Sequence, residues 1–188
     1  MALLSVHVVL AIALVVVSVS HVALSEVAGT ATDTVRLRRR LRPVGLLAVA
    51  SPIVAGLTVL SGLILTWDHG RFDQAWIIAS LLLVLVLAVN APVVQGPHLR
   101  RFEHALTRTP SGPVPAELRL LQENVPLRAG QRLAPCLQLG IIVLMVERPG
   151  AAGSTAVCLV LVVVAALLVV VQRRRLAAVS ATPVTVSS

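Results

Sequence analysis

Few side chains in this chain are equipped for chemistry. Five histidines, two cysteines and eight carboxylates are spread over 188 residues. His7 and His21 form the most suggestive pair. On a helix at 100° per residue their separation is about 1400°, roughly 40° short of four turns, so both rings face one side about 21 Å apart along the axis. That makes His7 and His21 the candidate metal-binding residues. Haem held between such histidines would need a second axial ligand for each iron. His69, His98 and His104 all lie outside the long apolar runs, so only a homodimer with facing first helices would complete the pairs. Cu(I) prefers thiolate and thioether ligands, but Met145, Cys136 and Cys158 are scattered. A Cu(II) set of Met1, His7, Asp68 and His69 has no specific spacing.

No phosphate loop, zinc-protease motif, nucleophile elbow or Cys-x-x-Cys pair occurs. No Asp, Glu or Arg interrupts the apolar runs, so the usual marks of proton relays and coupled transport are missing. Glu147 and Arg148 read as an interfacial ion pair at a helix end. The residues predict no enzymatic activity, no catalytic group and no cofactor.

The elements that would position these side chains are apolar helices. Hydrophobic residues make up 57% of the chain, charged residues only 13%, and the mean hydropathy is +0.93. Soluble domains average about 45–50% apolar and 25% charged residues. A bilayer core about 30 Å thick takes about 20 helical residues to cross. Spans are predicted over residues 2–25, 44–67, 75–94, 133–147 and 155–172. The fourth is the shortest, since only Leu133 to Val146 lie uncharged between Arg132 and Glu147. Charge placement favours its crossing. All sixteen basic residues are arginine, and five crossings put fourteen of them on one side. By the positive-inside rule that side is the cytoplasm, with the amino end outside. The first segment lacks a basic start and is too long for a signal-peptide core, so it reads as a retained helix. Cys136 and Cys158 then lie most of a membrane apart as free thiols, since bridged Cα atoms must come within about 7 Å.

The predicted fold is an all-α polytopic transmembrane bundle over residues 1–175, with a polar cytoplasmic loop over 95–132 and a disordered tail over 176–188. Small residues mark helix contacts in lipid. Ser51, Ala55, Thr58 and Gly62 line one face of the second span, which predicts packing against a second copy or another membrane subunit. Pro52 is expected to kink that span. Asn90, Pro92 and Gln95 read as caps where the third span leaves the membrane. The polar loop splits at Thr109–Pro113 into two short amphipathic helices, His98–Leu106 and Glu117–Asn124, suited to a membrane surface. The predicted partner is the lipid bilayer. Nucleic acid is not expected: the arginines flank apolar runs, and Trp67, Trp76, Phe72 and Phe102 are the only aromatics.

Three segments, Val6-His7-Val8-Val9, Ser61-Gly62-Leu63 and Leu144-Met145-Val146-Glu147-Arg148-Pro149-Gly150, together resemble an uncharacterised bacterial family of integral membrane proteins. That family is distantly similar to the copper-resistance protein D membrane domain. The resemblance covers roughly residues 1–150 and implies a small helical bundle, with His7 the one residue to which a functional role carries over. Ser18, Ser20 and His21 stand where the family has glycines, and this chain adds a fifth helix. The combined expectation is a bacterial inner-membrane protein acting as a non-enzymatic structural or accessory factor. The alternatives are a copper- or small-solute-handling protein and, third, a haem-binding electron carrier.

Overall fold

The computed structural model describes residues 2–69 and 72–181. Its helices are α1 (Ala2–Gly29), α2 (Thr34–His69), α3 (Ala75–Val89), α4 (Gly96–Arg108), α5 (Ala116–Gln122), α6 (Val125–Glu147) and α7 (Ala151–Ala181), and a π-helical turn, Asn90–Gln95, joins α3 to α4. No strand forms among the described residues, only an isolated bridge between Asp33 and Pro113. Five helical segments are long and apolar enough to cross a membrane: Ala2–Gly29, Thr34–Asp68, Ala75–Arg108, Ala116–Glu147 and Ala151–Ala177. The valine-rich runs are helical, as a bilayer requires of a backbone that must pair its own polar groups.

The helices are longer than the apolar runs inside them. Arg36 to Arg42 belong to the first turns of α2, which continues through Pro43 and Pro52. The third span does not end at Pro92. Proline has no N–H to donate, and the chain widens into the π turn there and continues as α4. Asn90, expected as a cap, is instead buried, and its Nδ2 donates to the Gly130 carbonyl at 3.0 Å. A Cβ on Gly130 would lie 3.0 Å from both Asn90 Oδ1 and Gln95 Cγ, so this glycine is where the π turn meets α6. The fourth span begins at Val125, eight residues before its uncharged stretch, and so has full length. Cys136 consequently sits mid-helix. At 1.5 Å per residue, Cys136 and Cys158 lie about 16 Å and 10 Å from the α6–α7 turn, far less than a membrane apart in depth. Both are free, and both pack on one cluster. The tail expected to be disordered is helical through Ala181; residues 182–188 lie outside the described ones.

Across the bundle, α2 packs along α1, α1 against α6, and α6 against both α3 and α7. One core cluster joins α3, α6 and α7 through Leu83, Leu137, Leu144 and Leu161. The other lies at the basic end, where Ala28, Leu37, Phe102, Leu106 and Leu118 join α1, α2, α4 and α5. The polar stretch expected as a membrane-surface loop therefore has a core of its own, buried against the α1–α2 hairpin.

Hydrogen bonds fasten this end. Thr34 N donates to the Gly112 carbonyl (2.9 Å), and Val114 N to that of Thr32 (3.1 Å). Thr34, fully buried, also donates from Oγ1 to the Pro110 carbonyl and accepts from Gly112 N, both at 3.1 Å. Asp33 Oδ1 caps α2 by accepting from Arg36 N at 2.7 Å. Arg38 donates to the Leu106 and Thr109 carbonyls that end α4, and Arg40 to the Val27 carbonyl that ends α1. Cations at helix C-termini match the helix dipole, so two arginines of this basic cluster also act as caps. Thr34→Val keeps the shape but orphans Gly112 N, and is expected to cost about 1–3 kcal/mol, read by denaturant unfolding in micelles.

Candidate functional site: a closed ionic ring and the cleft beside it

Arg128 and Arg132 are one turn apart on α6, and so on one face of it. Arg128 closes the first turn of that helix, where the dipole disfavours a cation, and both shielded guanidinium groups need carboxylates brought from elsewhere. Glu26, near the end of α1, accepts from Arg132 Nε (3.2 Å) and Nη2. Arg132 Nη1 donates to Gln172 Oε1 on α7 at 2.9 Å. Gln172 Nε2 donates to the carbonyl and the carboxylate of Glu123, each at 3.2 Å. Glu123 Oε1 accepts from Arg128 Nη2 at 3.1 Å, and Arg128 Nη1 stands 3.8 Å from Glu26 Oε1, closing the ring.

The ring holds two cations, two anions and one amide, and its net charge is zero. Gln172 is fully buried and the Arg128 side chain is 3% exposed. Gly29 makes room for it, since a Cβ there would lie 3.0 Å from Arg128 Nη2. The ring joins α1, the α5–α6 connection, α6 and α7, elements far apart in sequence. Chemically it is a clamp, each carboxylate already holding a guanidinium. Two acceptor or donor positions beside it stay unmatched, Arg128 Nε and Asn124 Oδ1.

Reading the chain segment by segment missed this site. The signal was there: charges or amides of both kinds (Glu26, Arg128, Arg132 and Gln172) mark the same end of three apolar runs.

The histidines are placed differently from one another. Nδ1 of His7 lies 3.1 Å from the Thr58 carbonyl oxygen and 3.0 Å from Ser61 Oγ. A carbonyl only accepts, so bonding to it puts the proton on Nδ1. The ring rests on Gly62, whose would-be Cβ is 2.9 Å from His7 Cε1. His7 is therefore a contact between α1 and α2, and Thr58 and Gly62, expected to face another subunit, face α1 of the same chain. A second copy facing α1 here would have to displace α2. His21, also on the α2 side, is half-buried and lines a cleft at the basic end. Among the described residues no three His, Cys, Asp or Glu side chains converge as a metal site would require. Met1 and the His69 side chain lie outside those described.

At the opposite end, Arg148 does not pair with Glu147 as expected. It caps α6 in the left-handed conformation (φ 47°, ψ 50°), and its guanidinium stands 6.0 Å from the Trp76 ring centroid, in cation–π range. One further polar contact crosses the bundle, Gln138 Nε2 to Ser18 Oγ at 2.7 Å.

Comparison with known protein families, with curated proteins and with solved structures finds no match to this chain.

Proposed function

We propose that this is a multi-pass protein of the bacterial cytoplasmic membrane, with its amino end outside and its basic end in the cytoplasm, serving as a non-enzymatic structural or accessory factor. The observation that carries the reading is the closed ring. Its two arginines, Arg128 and Arg132, are shielded and held by carboxylates, and the ring fastens α1, α6 and α7 together, which is the use a holding protein makes of them. The orientation is supported by fourteen of the sixteen arginines lying at the ring's end of the chain's crossings.

Reporter fusions test the orientation. Fusions after Arg40 and Arg174 are expected to report cytoplasm, and one after Asp73 the outside; Arg40 and Arg174 on opposite faces would overturn it. Purified protein is expected to carry no stoichiometric copper by mass spectrometry and no Soret band. Copper at one equivalent that is lost in His7→Ala would replace the accessory reading with a metal-handling one.

A further inference from the structure

Of the arginines in the opening turns of α2, three are used inside the protein. Arg36 pairs with Asp33, Arg38 donates to the carbonyls that end α4, and Arg40 to the one that ends α1. Arg39 and Arg42 are exposed, and no ion pair among the described residues uses either. They stand one turn apart on one face of the helix. What continues that face identifies their partner.

Helix α2 runs through Pro43 without ending, so one register carries on. At 100° per residue, Arg39 and Arg42 share an arc of about 80° with Leu46, Val49, Ile53, Leu60 and Trp67. Each of these five apolar side chains is at least 56% exposed, on the outer surface of the bundle. From Leu46 to Ile64, another exposed member of the stripe, the distance is about 27 Å, close to the thickness of a hydrocarbon core. Trp67 then marks one interface, as amphipathic rings do. Arg42 and Arg39 stand about 6 and 10 Å beyond Leu46, at the level of the headgroups. The face is thus apolar where acyl chains lie and doubly cationic where phosphates lie. A soluble acidic partner would use the arginines but not the apolar residues below them. A guanidinium donates well to phosphate oxygens. A zwitterionic head brings its own cation to that phosphate, so two free arginines favour a head with net negative charge.

We propose that this face of α2 seats one anionic phospholipid of the leaflet at the basic end. Its phosphate accepts hydrogen bonds from Arg39 and Arg42, and an acyl chain lies along Leu46, Val49 and Ile53. The inference rests on the bundle's crossing a membrane, not on which side of the membrane the basic end faces.

The full chain in neutral micelles is offered dioleoyl phosphatidylglycerol and dioleoyl phosphatidylcholine, and native mass spectrometry reads the first lipid bound. Each arginine near the surface favours an anionic head about fivefold, so the pair is expected to give a preference of about thirtyfold. Arg39→Gln/Arg42→Gln is expected to bring the two lipids within about twofold of each other. Arg39→Lys/Arg42→Lys keeps the charge and is expected to keep most of the preference. Arg108→Gln/Arg119→Gln removes as much charge from α4 and α5, off the stripe, and is expected to change the preference less than twofold. Excess glycerol 3-phosphate, a head without tails, is expected not to displace the lipid. Three results would each overturn the proposal: no preference in the unaltered chain, equal loss in both glutamine variants, or displacement by glycerol 3-phosphate. So would a preference that survives Arg39→Gln/Arg42→Gln, the outcome if Arg173, Arg174 and Arg175 held the lipid instead. Purified protein reads the same in either orientation, so this result stays separate from that of the reporter fusions.

Discussion

Glu123→Ala is expected to destabilise the protein by about 3 kcal/mol, the largest loss for any single carboxylate. The reason is what it leaves behind. Arg128 has Glu123 as its one close anionic partner, at 3.1 Å, while Glu26 is 3.8 Å away. Orphaning a buried charge costs about 3–5 kcal/mol, far more than the pair contributes over an apolar substitute. The low end of that range applies because the Glu123 side chain is 28% exposed, so water screens part of the loss. Glu123→Gln keeps an acceptor for Arg128 and is expected to lose roughly half as much. The double variant Glu123→Ala/Arg128→Met should recover most of the loss, because the unpaired cation is gone. Steric-trapping measurements of unfolding in bicelles would read these differences. A double variant that loses the sum of its two single losses would mean that the residues are not coupled. Arg36 and Asp33 supply the contrast, since their pair is 71% and 33% exposed. Arg36→Ala should cost under about 1 kcal/mol.

The spans were legible in the sequence because their signal is local. Length, apolar character and flanking arginines suffice to place an apolar helix, and the five predicted spans each fall within a membrane-length helix. Where those helices end was not legible. Charge marks the end of an apolar run at Arg36–Arg42 and at Arg132 but not the end of a helix: the first cluster continues α2 with largely exposed side chains, and at Arg132 a counter-charge reaches the helix. Arg132 meets Glu26 across 106 residues of sequence, and no window along the chain contains both. The same holds for Pro92, where a π turn absorbs the missing donor and α3 runs on into α4.

The candidate site divides along the same line. That His7 and His21 share one side of α1 followed from helical periodicity alone. The periodicity does not say what meets each ring. Ser61 and Gly62 take up His7, while His21 lines the cleft. The small-residue face on α2 was visible as a contact surface, and its occupant was not. Small residues allow close approach by any helix, and α1 is joined to α2 by a short turn, so it arrives first.

Gly62→Leu is the substitution that tests this occupancy, with an expected cost of about 3 kcal/mol. The would-be Cβ already lies 2.9 Å from His7 Cε1, so any side chain must push the ring away from Thr58 and Ser61 and part α1 from α2. Overpacking of this kind costs about 1–3 kcal/mol, and the lost interhelical hydrogen bond adds about 0.6 kcal/mol on the average for membrane helices. His7→Ala alone should cost about 1–2 kcal/mol, from that bond and the space left behind. Combined, the two changes should compensate, because the leucine enters the volume the imidazole vacates. The double variant is then more stable than Gly62→Leu alone. If the glycine face instead met a second copy of the chain, Gly62→Leu would shift the oligomer distribution in size-exclusion chromatography, and removing His7 would restore nothing.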